Sequence, residues 1–577
     1  MTVVLVGDGP AATAVAAAFE DTPESVEQRD ATTLGATEAA LLVVVGHVGD
    51  DAFGDAAEAT ATVGTRLVTV ELGGVGRTPV AGVEAAVTAF GPETGCPDCL
   101  RTRVAANDPE TDAGEVDDAT ARFAGALAGR EAVRLYTGED GLLGRVIELP
   151  HTERRLLPVP GCSCGDDTDC LLHHGGEGRS LDAALGAAET AVDPRVGLVS
   201  QVAEAESFPV PYYLATLAGT PFSDAEVPRH AAGVAADWNP AYMKALGESL
   251  ERYAGAVYRT RTFERGPPGA VAGAVPPSAF VTAPWFGAPD PRTESYWVEG
   301  EHLAGGDRVR LPAEFVVFPP PEARHRPAIT TGLGLGNSGT EALLSGLYEV
   351  VERDAAMLAW YSTYDPLGLD VEREGYRALE RRLRAEDLEA TALLLTQDVD
   401  VPVVAVCVHR SLDDPEAGDW PRFAAGMDAS LDPEAAALGA LEEAVQNFLE
   451  LRGMGRDRAR DEEGAIGVYG DFPTTAREFV DPATTIPAST VGPDTVPEGR
   501  AELDVLVERV ADAGLEPYAV RLTTRDLVEL GFEAVRVLVP STQPLFTGRA
   551  YFGERAATVP EALGFEARPD RDHHPFP

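Results

Sequence analysis

Two segments of the chain carry paired carboxylates with an arginine beside them, in the pattern E-x-x-E-R. Carboxylates three positions apart share one face of a helix, so each segment predicts a helix with an acidic face. Four converging carboxylates suit a hard cation such as Mg²⁺, and Mg²⁺ in turn suits a bound triphosphate. The residues concerned are Glu248, Glu251, Arg252, Glu349, Glu352 and Arg353.

The surroundings of the second segment favour a ligand site over a solvated, salt-bridging helix face. The chain has 94 acidic residues in 577, so chance alone yields roughly one acid-x-x-acid-Arg segment. Residues 342–360 are largely apolar, however, and a glycine-rich run at 331–338 precedes them. Carboxylates that point from an apolar helix toward such a loop need a partner, because a buried unpaired carboxylate is costly.

Two close cysteine pairs predict a structural zinc site. A closed tetrahedral zinc takes four soft ligands, and two pairs supply them. Cys170, His173 and His174 follow the second pair closely enough to compete as ligands. Chance clustering of buried thiols is the remaining alternative. The four expected ligands are Cys96, Cys99, Cys162 and Cys164.

The charge of the chain excludes some classes of partner. It has 46 basic and 94 acidic residues, a net charge of −48, and Lys244 is its only lysine. Such a chain repels phosphate backbones and anionic lipid, so neither a nucleic acid nor a membrane surface is an expected partner. The composition indicates a cytoplasm full of salt, where self-repulsion is screened. There is neither a signal peptide nor an apolar run that approaches a membrane span of about 20 residues.

The N-terminal region alternates apolar strands and helices, which predicts a mostly parallel, doubly wound α/β sheet. Residues 7–12 read G-x-G-x-x-A, a pattern typical of dinucleotide binding at a helix N-terminus. Pro10 lies inside this turn, and Asp30 lies in a polar stretch rather than after a clear second strand, which favours a purely structural turn. Strands are expected at 3–6, 40–45 and 66–71, and a helix at 11–19.

The last part of the chain predicts one more α/β unit after a long loop or insertion at 453–500. Its helices are expected at 501–514 and 525–531, and its strands at 517–522 and 534–539.

The chain from about 180 to 577 resembles the YcaO family of ATP-dependent enzymes that modify peptide backbones. The resemblance rests on the two E-x-x-E-R helices, the block TTGLGLGNSGTEALLSGLYEVVERDA, an E-x-x-x-Q motif and a proline-bearing C-terminus. Residues 1–165 resemble the ThiF-like partner domain of many YcaO proteins, in which segments such as AFGPETGCPDCLRTR and PGCSCG hold zinc. The implied organisation is a Rossmann-like, ThiF-like domain at 1–165, a linker at 166–180 and a large mixed α/β ATP-binding domain at 181–577.

The resemblance also implies roles for single residues. The four glutamates of the E-x-x-E-R segments match Mg²⁺-binding carboxylates, and the two arginines would neutralise phosphate charge. Pro577 ends a tail that reaches the active site in related cyclodehydratases; a frayed polar tail is the alternative. The positions that match further nucleotide contacts are Asn337, Glu341, Glu442 and Gln446.

Two sites depart from the family pattern. Ala245 stands where serine is frequent, and Gly233-Val234-Ala235 stands where a lysine is frequent. Arg179 is an alternative basic contact for the nucleotide.

The activity implied by the resemblance is azoline formation from Cys, Ser or Thr of a ribosomally made peptide, with ATP, Mg²⁺ and structural Zn²⁺. A YcaO-type thioamide-forming enzyme and a non-catalytic docking scaffold are the alternatives. The chain starts at the Rossmann-like strand, so a separate leader-binding protein is an expected partner, and a flavin dehydrogenase is another. The sequence leaves the oligomeric state open, a homodimer included.

Overall fold

A computed structural model describes most of the chain. The described residues are 2–20, 22, 25–30, 39–112, 114–150, 152–165, 170–176, 178–462 and 464–577. Residues 166–169 and 177 of the predicted linker lie outside them.

A seven-stranded sheet forms the N-terminal region, with the strand order β2-β1-β3-β4-β5-β6-β7. Strands β2, β1, β3 and β4 run parallel, and the remaining neighbours pair antiparallel. The predicted α/β sheet is therefore confirmed, with an antiparallel half that begins where β4 and β5 are joined without a helix. The strands are β1 Val3–Val6, β2 Val26–Arg29, β3 Leu41–His47, β4 Arg66–Leu72, β5 Ala85–Phe90, β6 Arg145–Leu149 and β7 Thr152–Arg155, and the helices are α1 Gly9–Ala17, α2 Ala52–Val63, α3 Pro97–Ala106 and α4 Asp118–Tyr136.

The second strand differs from the expectation. The polar stretch at 26–29 is the edge strand β2, and Asp30 directly follows it. An edge strand exposes one side to water and so lacks the apolar run that marks a central strand.

Three further sheets and twelve helices form the rest of the described chain, in the mixed α/β arrangement that was predicted. The three-stranded sheet has the order β10-β9-β8, the six-stranded one β11-β12-β20-β21-β14 with β13 on β12, and the five-stranded one β18-β17-β16-β15-β19. Their strands are β8 Val199–Glu206, β9 Tyr212–Leu217, β10 His230–Val234, β11 Glu264–Gly266, β12 Ser295–His302, β13 Arg308–Pro312, β14 Leu333–Gly336, β15 Leu367–Asp370, β16 Glu389–Leu394, β17 Val403–His409, β18 Phe423–Ala429, β19 Thr485–Pro487, β20 Tyr518–Arg521 and β21 Glu533–Leu538. The helices are α5 Leu181–Glu189, α6 Trp238–Ala256, α7 Ala313–Val316, α8 Gly339–Trp360, α9 Glu374–Arg384, α10 Pro433–Met454, α11 Arg456–Ala459, α12 Ile466–Tyr469, α13 Thr474–Phe479, α14 Arg500–Asp512, α15 Arg525–Leu530 and α16 Arg555–Ala562.

Three strand–helix pairs position the acidic helices: α6 packs on β10, α8 on β14 and α10 on β18. Glycines in the strands allow a close approach. A Cβ atom on Gly233 of β10 would lie 2.2 Å from the backbone nitrogen of Ala245, and one on Gly334 of β14 would lie 2.2 Å from the carbonyl oxygen of Ala342. No side chain fits at these distances, so glycine sets the depth at which α6 and α8 lie on their strands.

A buried ion pair joins the N-terminal region to α6. Arg103 on α3 donates to the Asp526 carboxylate on α15 at 2.5 Å, and the Tyr253 hydroxyl on α6 donates to the same oxygen at 2.5 Å. All three side chains are almost fully buried. Removing one partner of such a pair typically costs about 3–5 kcal/mol, so this contact holds the two regions in a fixed register.

Within the described residues, no helix is long and apolar enough to cross a membrane.

Candidate functional site

Helices α6, α8 and α10, with strand β18, bring eight carboxyl groups together. We call this group the acidic cluster. It contains the four glutamates of the E-x-x-E-R segments and Glu442, as the sequence predicted, and three further groups. Its members are Glu248, Glu251, Glu349, Glu352, Asp428, Glu442, Glu443 and Glu450.

Each supporting strand or its preceding loop fixes one glutamate of the helix above it through a backbone N–H. Amide donors of this kind orient a carboxylate without neutralising its charge. The Ala232 N–H donates to Glu248 at 2.8 Å. The Gly332 N–H donates to Glu349 at 2.9 Å, and the Met427 N–H donates to Glu443 at 2.5 Å.

On α6, Glu251 points into the cluster without a protein partner. Among the described residues its carboxyl group forms neither a hydrogen bond nor an ion pair. Burial raises the pKa of Glu251 to about 8, and the nearby charges of Glu349 and Glu248 raise it further. The charges of Arg252 and Arg536 lower the pKa of Glu251 only in part, and Arg252 itself pairs with Glu248 and donates to the His230 carbonyl at 3.0 Å.

On α8, the corresponding arginine links the cluster to the end of the chain. Arg353 lies 3.3 Å from the Glu352 carboxylate and 3.8 Å from that of Glu443. It also donates to the backbone oxygen of Pro577 at 2.6 Å. Burial raises the pKa of Glu352 well above its usual range, although the charge of Arg353 opposes this.

On α10, Glu442 pairs with Lys244 of α6 and accepts from the Ala236 N–H at 3.1 Å. The only lysine of the chain thus lies in the cluster. Burial raises the pKa of Asp428 to about 7, and the charge of Lys244 lowers it. Gln446 donates to Glu450 within α10 at 3.1 Å, whereas Glu442 of the same E-x-x-x-Q motif pairs outside its helix.

A buried arginine on β21 borders the cluster. Arg536 donates to the carbonyl oxygens of Ile329 at 2.7 Å and Thr330 at 2.6 Å. Burial lowers its pKa to about 9, and the charge of Glu349 raises it, followed more weakly by that of Glu251. Arg536 thus lies beside one glutamate from each E-x-x-E-R segment.

The start of α8 holds the remaining predicted contacts. Glu341 accepts from the backbone N–H of Asn337 at 2.8 Å and from its side-chain amide at 3.0 Å. Arg179 donates to the side-chain amide oxygen of Asn337, Oδ1, at 3.1 Å. The structure therefore brings the alternative basic contact next to two of the expected nucleotide contacts.

Residues 571–577 are docked, not frayed. Phe576 is buried against the rings of Trp360 and Phe479. The His574 Nε2 bonds to the Phe546 carbonyl at 2.7 Å, and burial lowers the pKa of His574 to about 3, so this imidazole is neutral near pH 7. These contacts direct Pro577 toward Arg353.

The four predicted zinc ligands meet in one group. Their sulfur atoms lie within 4.8 Å of one another. The Cys96–Cys162 and Cys99–Cys164 separations are both 3.6 Å, and the Cys96–Cys99 separation is 3.8 Å. A tetrahedral zinc with Zn–S bonds of about 2.3 Å places its sulfurs about 3.8 Å apart, so the donor set fits the metal.

The competing ligands lie elsewhere. His173 pairs with Glu533 at 2.8 Å and His174 with Glu301 at 2.7 Å. Arg525 of α15 donates to the Cys164 sulfur at 3.3 Å, which places a cation from the C-terminal region on the cysteine group.

A family model described as YcaO cyclodehydratase, ATP- and Mg²⁺-binding, matches residues 232–543, more than half of the chain. The match includes α6, α8 and α10. The chain belongs to the YcaO family. An uncharacterized protein of Methanothermobacter thermautotrophicus is 30% identical over 266 residues, which are 44% of this chain and 68% of the relative.

Two solved structures of heterocyclases extend the likeness to the N-terminal region. One, a heterocyclase in complex with substrate and cofactor, superposes with a TM-score of 0.74 at 20% identity, over 98% of this chain and 83% of its own. The heterocyclase TruD superposes with a TM-score of 0.65 at 18% identity, over 98% and 82% of the two chains. At these identities the comparison shows a shared fold. Membership of the YcaO family supports an ATP-dependent, peptide-modifying role.

The sequence analysis missed five groups of the site. Asp428, Glu443 and Glu450 carry no local pattern, and Arg536 comes from a strand near the end of the chain. Composition could have indicated Lys244, because it is the single lysine of a chain that otherwise uses arginine, and it lies in the first E-x-x-E-R helix.

Proposed function

We propose that this YcaO protein forms azolines in a peptide backbone at the expense of ATP, with Mg²⁺ held by the acidic cluster. The single observation that carries the proposal is Glu251, a half-buried carboxyl group that has no partner among the described residues and lies among seven other carboxyl groups. A bound cation or a bound proton stabilises such a group.

The charge of the cluster supports a divalent ion. Its eight carboxyl groups face four basic side chains, which leaves four negative charges when all are ionised. Oxygen ligands of this kind are those that Mg²⁺ prefers, and Mg²⁺ supplies charge neutralisation at the phosphates when bound. The basic side chains are Lys244, Arg252, Arg353 and Arg536.

In the proposed reaction, a Cys, Ser or Thr side chain attacks the carbonyl carbon of the preceding residue. The carbonyl oxygen receives the γ-phosphoryl group of ATP and leaves as phosphate, so that peptide and ATP give azoline, ADP and phosphate. The protein need not supply a nucleophile. Its residues position the reacting groups and neutralise charge, which is the main demand of phosphoryl transfer.

The contacts suggest that separate groups of residues bind the nucleotide, the ion and the peptide. The Asn337–Glu341 pair and Arg179 at the start of α8 would contact the nucleotide. The E-x-x-E-R glutamates and Glu442 would hold the ion, with Gln446 at the margin. Pro577 would border the reacting peptide, because its backbone oxygen binds Arg353 beside the cluster.

Calorimetry of Mg-ATP binding in molar KCl tests this proposal, with wild type and Glu349→Ala. We expect wild type to bind Mg-ATP and Glu349→Ala to lose this binding. The control variant Glu508→Gln, on the exposed face of α14, should bind as wild type does. Mass spectrometry of candidate peptides then identifies the product: azoline formation loses one water, and thioamide formation exchanges oxygen for sulfur. Folded wild type that binds no Mg-ATP with a peptide present would support a docking scaffold instead.

We also propose that Cys96, Cys99, Cys162 and Cys164 hold a structural zinc in a ThiF-like domain at 1–165, with the ATP-binding domain at 181–577. The sulfur separations support the metal. Elemental analysis should find one zinc per chain, which Cys99→Ser removes and Cys170→Ser retains. Zinc lost equally from both variants would contradict the assignment.

A further inference from the structure

Arg326 is a buried cation without a polar partner. Its side chain is only 8% exposed, and among the described residues its guanidinium forms neither a hydrogen bond nor an ion pair. The guanidinium lies over the ring of Phe315, whose centroid is 4.8 Å away. Burying an unpaired ion is costly, and burial accordingly lowers the pKa of Arg326.

The nearest acid and imidazole are already engaged with each other. Glu314 and His325 pair at 2.5 Å, and Glu314 also accepts from the backbone N–H of Arg324 at 3.1 Å. The charge of Glu314 acts on Arg326, but neither residue forms an ion pair or a hydrogen bond with its guanidinium.

A second unpartnered donor lies in the same part of the fold. The Tyr551 hydroxyl is buried and has no hydrogen-bond partner, and the charge of Arg326 acts on it. A buried hydroxyl without a partner is destabilised relative to a bonded one. Two such donors together indicate a missing acceptor with negative charge.

The segment that carries Arg326 leads to the margin of the acidic cluster. The charge of Arg326 acts on Arg536, which in turn lies beside Glu349 and Glu251. Arg536 is held by the carbonyl oxygens of residues 329 and 330, only a few positions after Arg326.

Exposed aromatic side chains border the same place. The Trp285 ring packs edge-on against Tyr551, with centroids 5.7 Å apart, and Trp285 is 38% exposed beside Phe286, which is 37% exposed. The Ala283 N–H donates to the His325 carbonyl at 2.8 Å and so ties this aromatic segment to the one with Arg326. Exposed rings beside a polar pocket are typical of a surface that binds a ligand with apolar groups.

We propose that Arg326 and the Tyr551 hydroxyl form an oxyanion-binding subsite beside the acidic cluster. The oxyanion comes either from a nucleotide phosphate or from the attacked carbonyl oxygen of the peptide, and the exposed pair Trp285 and Phe286 favours the peptide. The choice between these sources rests on the proposed function, whereas the oxyanion site itself does not.

The first experiment asks whether Arg326 serves the fold or a ligand. Arg326→Met keeps the apolar packing on Phe315 and removes the charge. We expect its thermal midpoint without ligand to equal or exceed that of wild type. The control is Arg324→Met. Arg324 binds Glu322 and the Glu294 carbonyl, so its replacement should lower the thermal midpoint. A midpoint for Arg326→Met several degrees below wild type would overturn the proposal.

The second experiment identifies the oxyanion. Inorganic phosphate should raise the midpoint of wild type, with at least tenfold weaker apparent binding to Arg326→Met and weaker binding to Tyr551→Phe. An Mg-ATP affinity at least tenfold lower in Arg326→Met assigns the nucleotide phosphate. Unchanged affinity with turnover about 100-fold lower assigns the peptide oxygen, since this is the usual loss for one oxyanion donor.

The two proposals can fail separately. Wild type that binds phosphate through Arg326 but neither binds Mg-ATP nor modifies peptides would overturn the proposed function and leave the subsite. An Arg326→Met variant that binds phosphate and Mg-ATP and turns peptide over as wild type does would overturn the subsite.

Discussion

Helices α6 and α8 carry the same five-residue motif but use it differently. In α6 the arginine binds the first glutamate of its own motif, and the second glutamate, Glu251, has no protein partner. In α8 the arginine binds the second glutamate and the backbone of Pro577, and it is buried. One copy leaves a carboxyl group for a ligand, while the other holds a distant segment of the chain.

The partners of the arginine therefore distinguish the roles of the two copies of the motif. Arg252 is partly exposed and Arg353 is buried, because residues 571–577 cover α8. The same substitution in the two helices should therefore have different consequences, which can be measured.

The largest expected effect is that of Glu251→Gln. It should abolish Mg-ATP binding and lower turnover about 100-fold to 1000-fold, because the group that lacks a protein partner is the one that needs the ion. Stability should change the other way. The folded-state pKa of about 8 lies above the usual glutamate value of 4.5, so Glu251 destabilises the ligand-free protein increasingly as pH rises from 4.5 through 8. Thermal unfolding should find the variant close to wild type at or below about pH 4.5 and more stable than wild type at about pH 8. If Glu251→Gln still binds Mg-ATP, then Glu251 is not the glutamate of the α6 motif that the ion requires.

The paired substitutions Arg353→Gln and Arg252→Gln should differ in stability. Loss of the buried Arg353 leaves Glu352 and Pro577 without their partner and should cost about 3–5 kcal/mol in denaturant unfolding. Loss of the more exposed Arg252 should cost about 1 kcal/mol or less. Equal costs would mean that burial of α8 does not distinguish the two copies.

Phe576→Ala should release the docked segment while α8 keeps its fold. Truncating a buried phenylalanine typically costs about 3–5 kcal/mol, and here the loss falls mainly on the contacts of residues 571–577 with Trp360 and Phe479. Limited proteolysis and Trp360 fluorescence should report the release, and turnover should fall with it. Leu563→Ala, at an exposed position beyond α16, is the control. A released segment with unchanged turnover would remove Pro577 from the site.

The smallest effect concerns acid. Burial, and next the charge of His573, lowers the pKa of His574 from 6.5 to about 3. Its stabilising contribution is therefore complete above about pH 6.5 and is lost as pH falls toward 3, by at most about 1.4 kcal/mol per unit. Unfolding followed by Trp360 fluorescence should show that the difference in stability between wild type and His574→Asn shrinks over this pH window. The other titrating groups are common to both proteins and cancel in that difference. A difference that is constant from pH 7 to pH 4 would contradict the buried, neutral imidazole.

The sequence predicted the features that short-range spacing encodes. The apolar stretch around Glu349 and Glu352 is the helix α8, and the last α/β unit lies at α14, β20, α15 and β21 as expected. The cysteine pairs also meet, because a metal site leaves its spacing in the sequence. The family prediction is confirmed, whereas the domain limits and the ThiF-like character remain predictions.

The rest of the site depends on long-range packing. Asp428 and Glu443 join the cluster only because β18 and α10 lie beside α8, and nothing near them in the sequence indicates this. Arg326 looks like one of several arginines in a polar stretch until its burial is known. The polar strand β2 was missed for the opposite reason, since an edge position removes the apolar pattern that predicts a strand.

The single lysine allows the site to be labelled selectively by a chemical reagent. Amine-specific reagents have few targets in this chain, and Lys244 lies half-exposed against Glu442. An acylating reagent used on the native protein would therefore label the cluster itself. The rate of that labelling, with and without Mg-ATP, would report occupancy of the site in concentrated salt without any substitution in the chain.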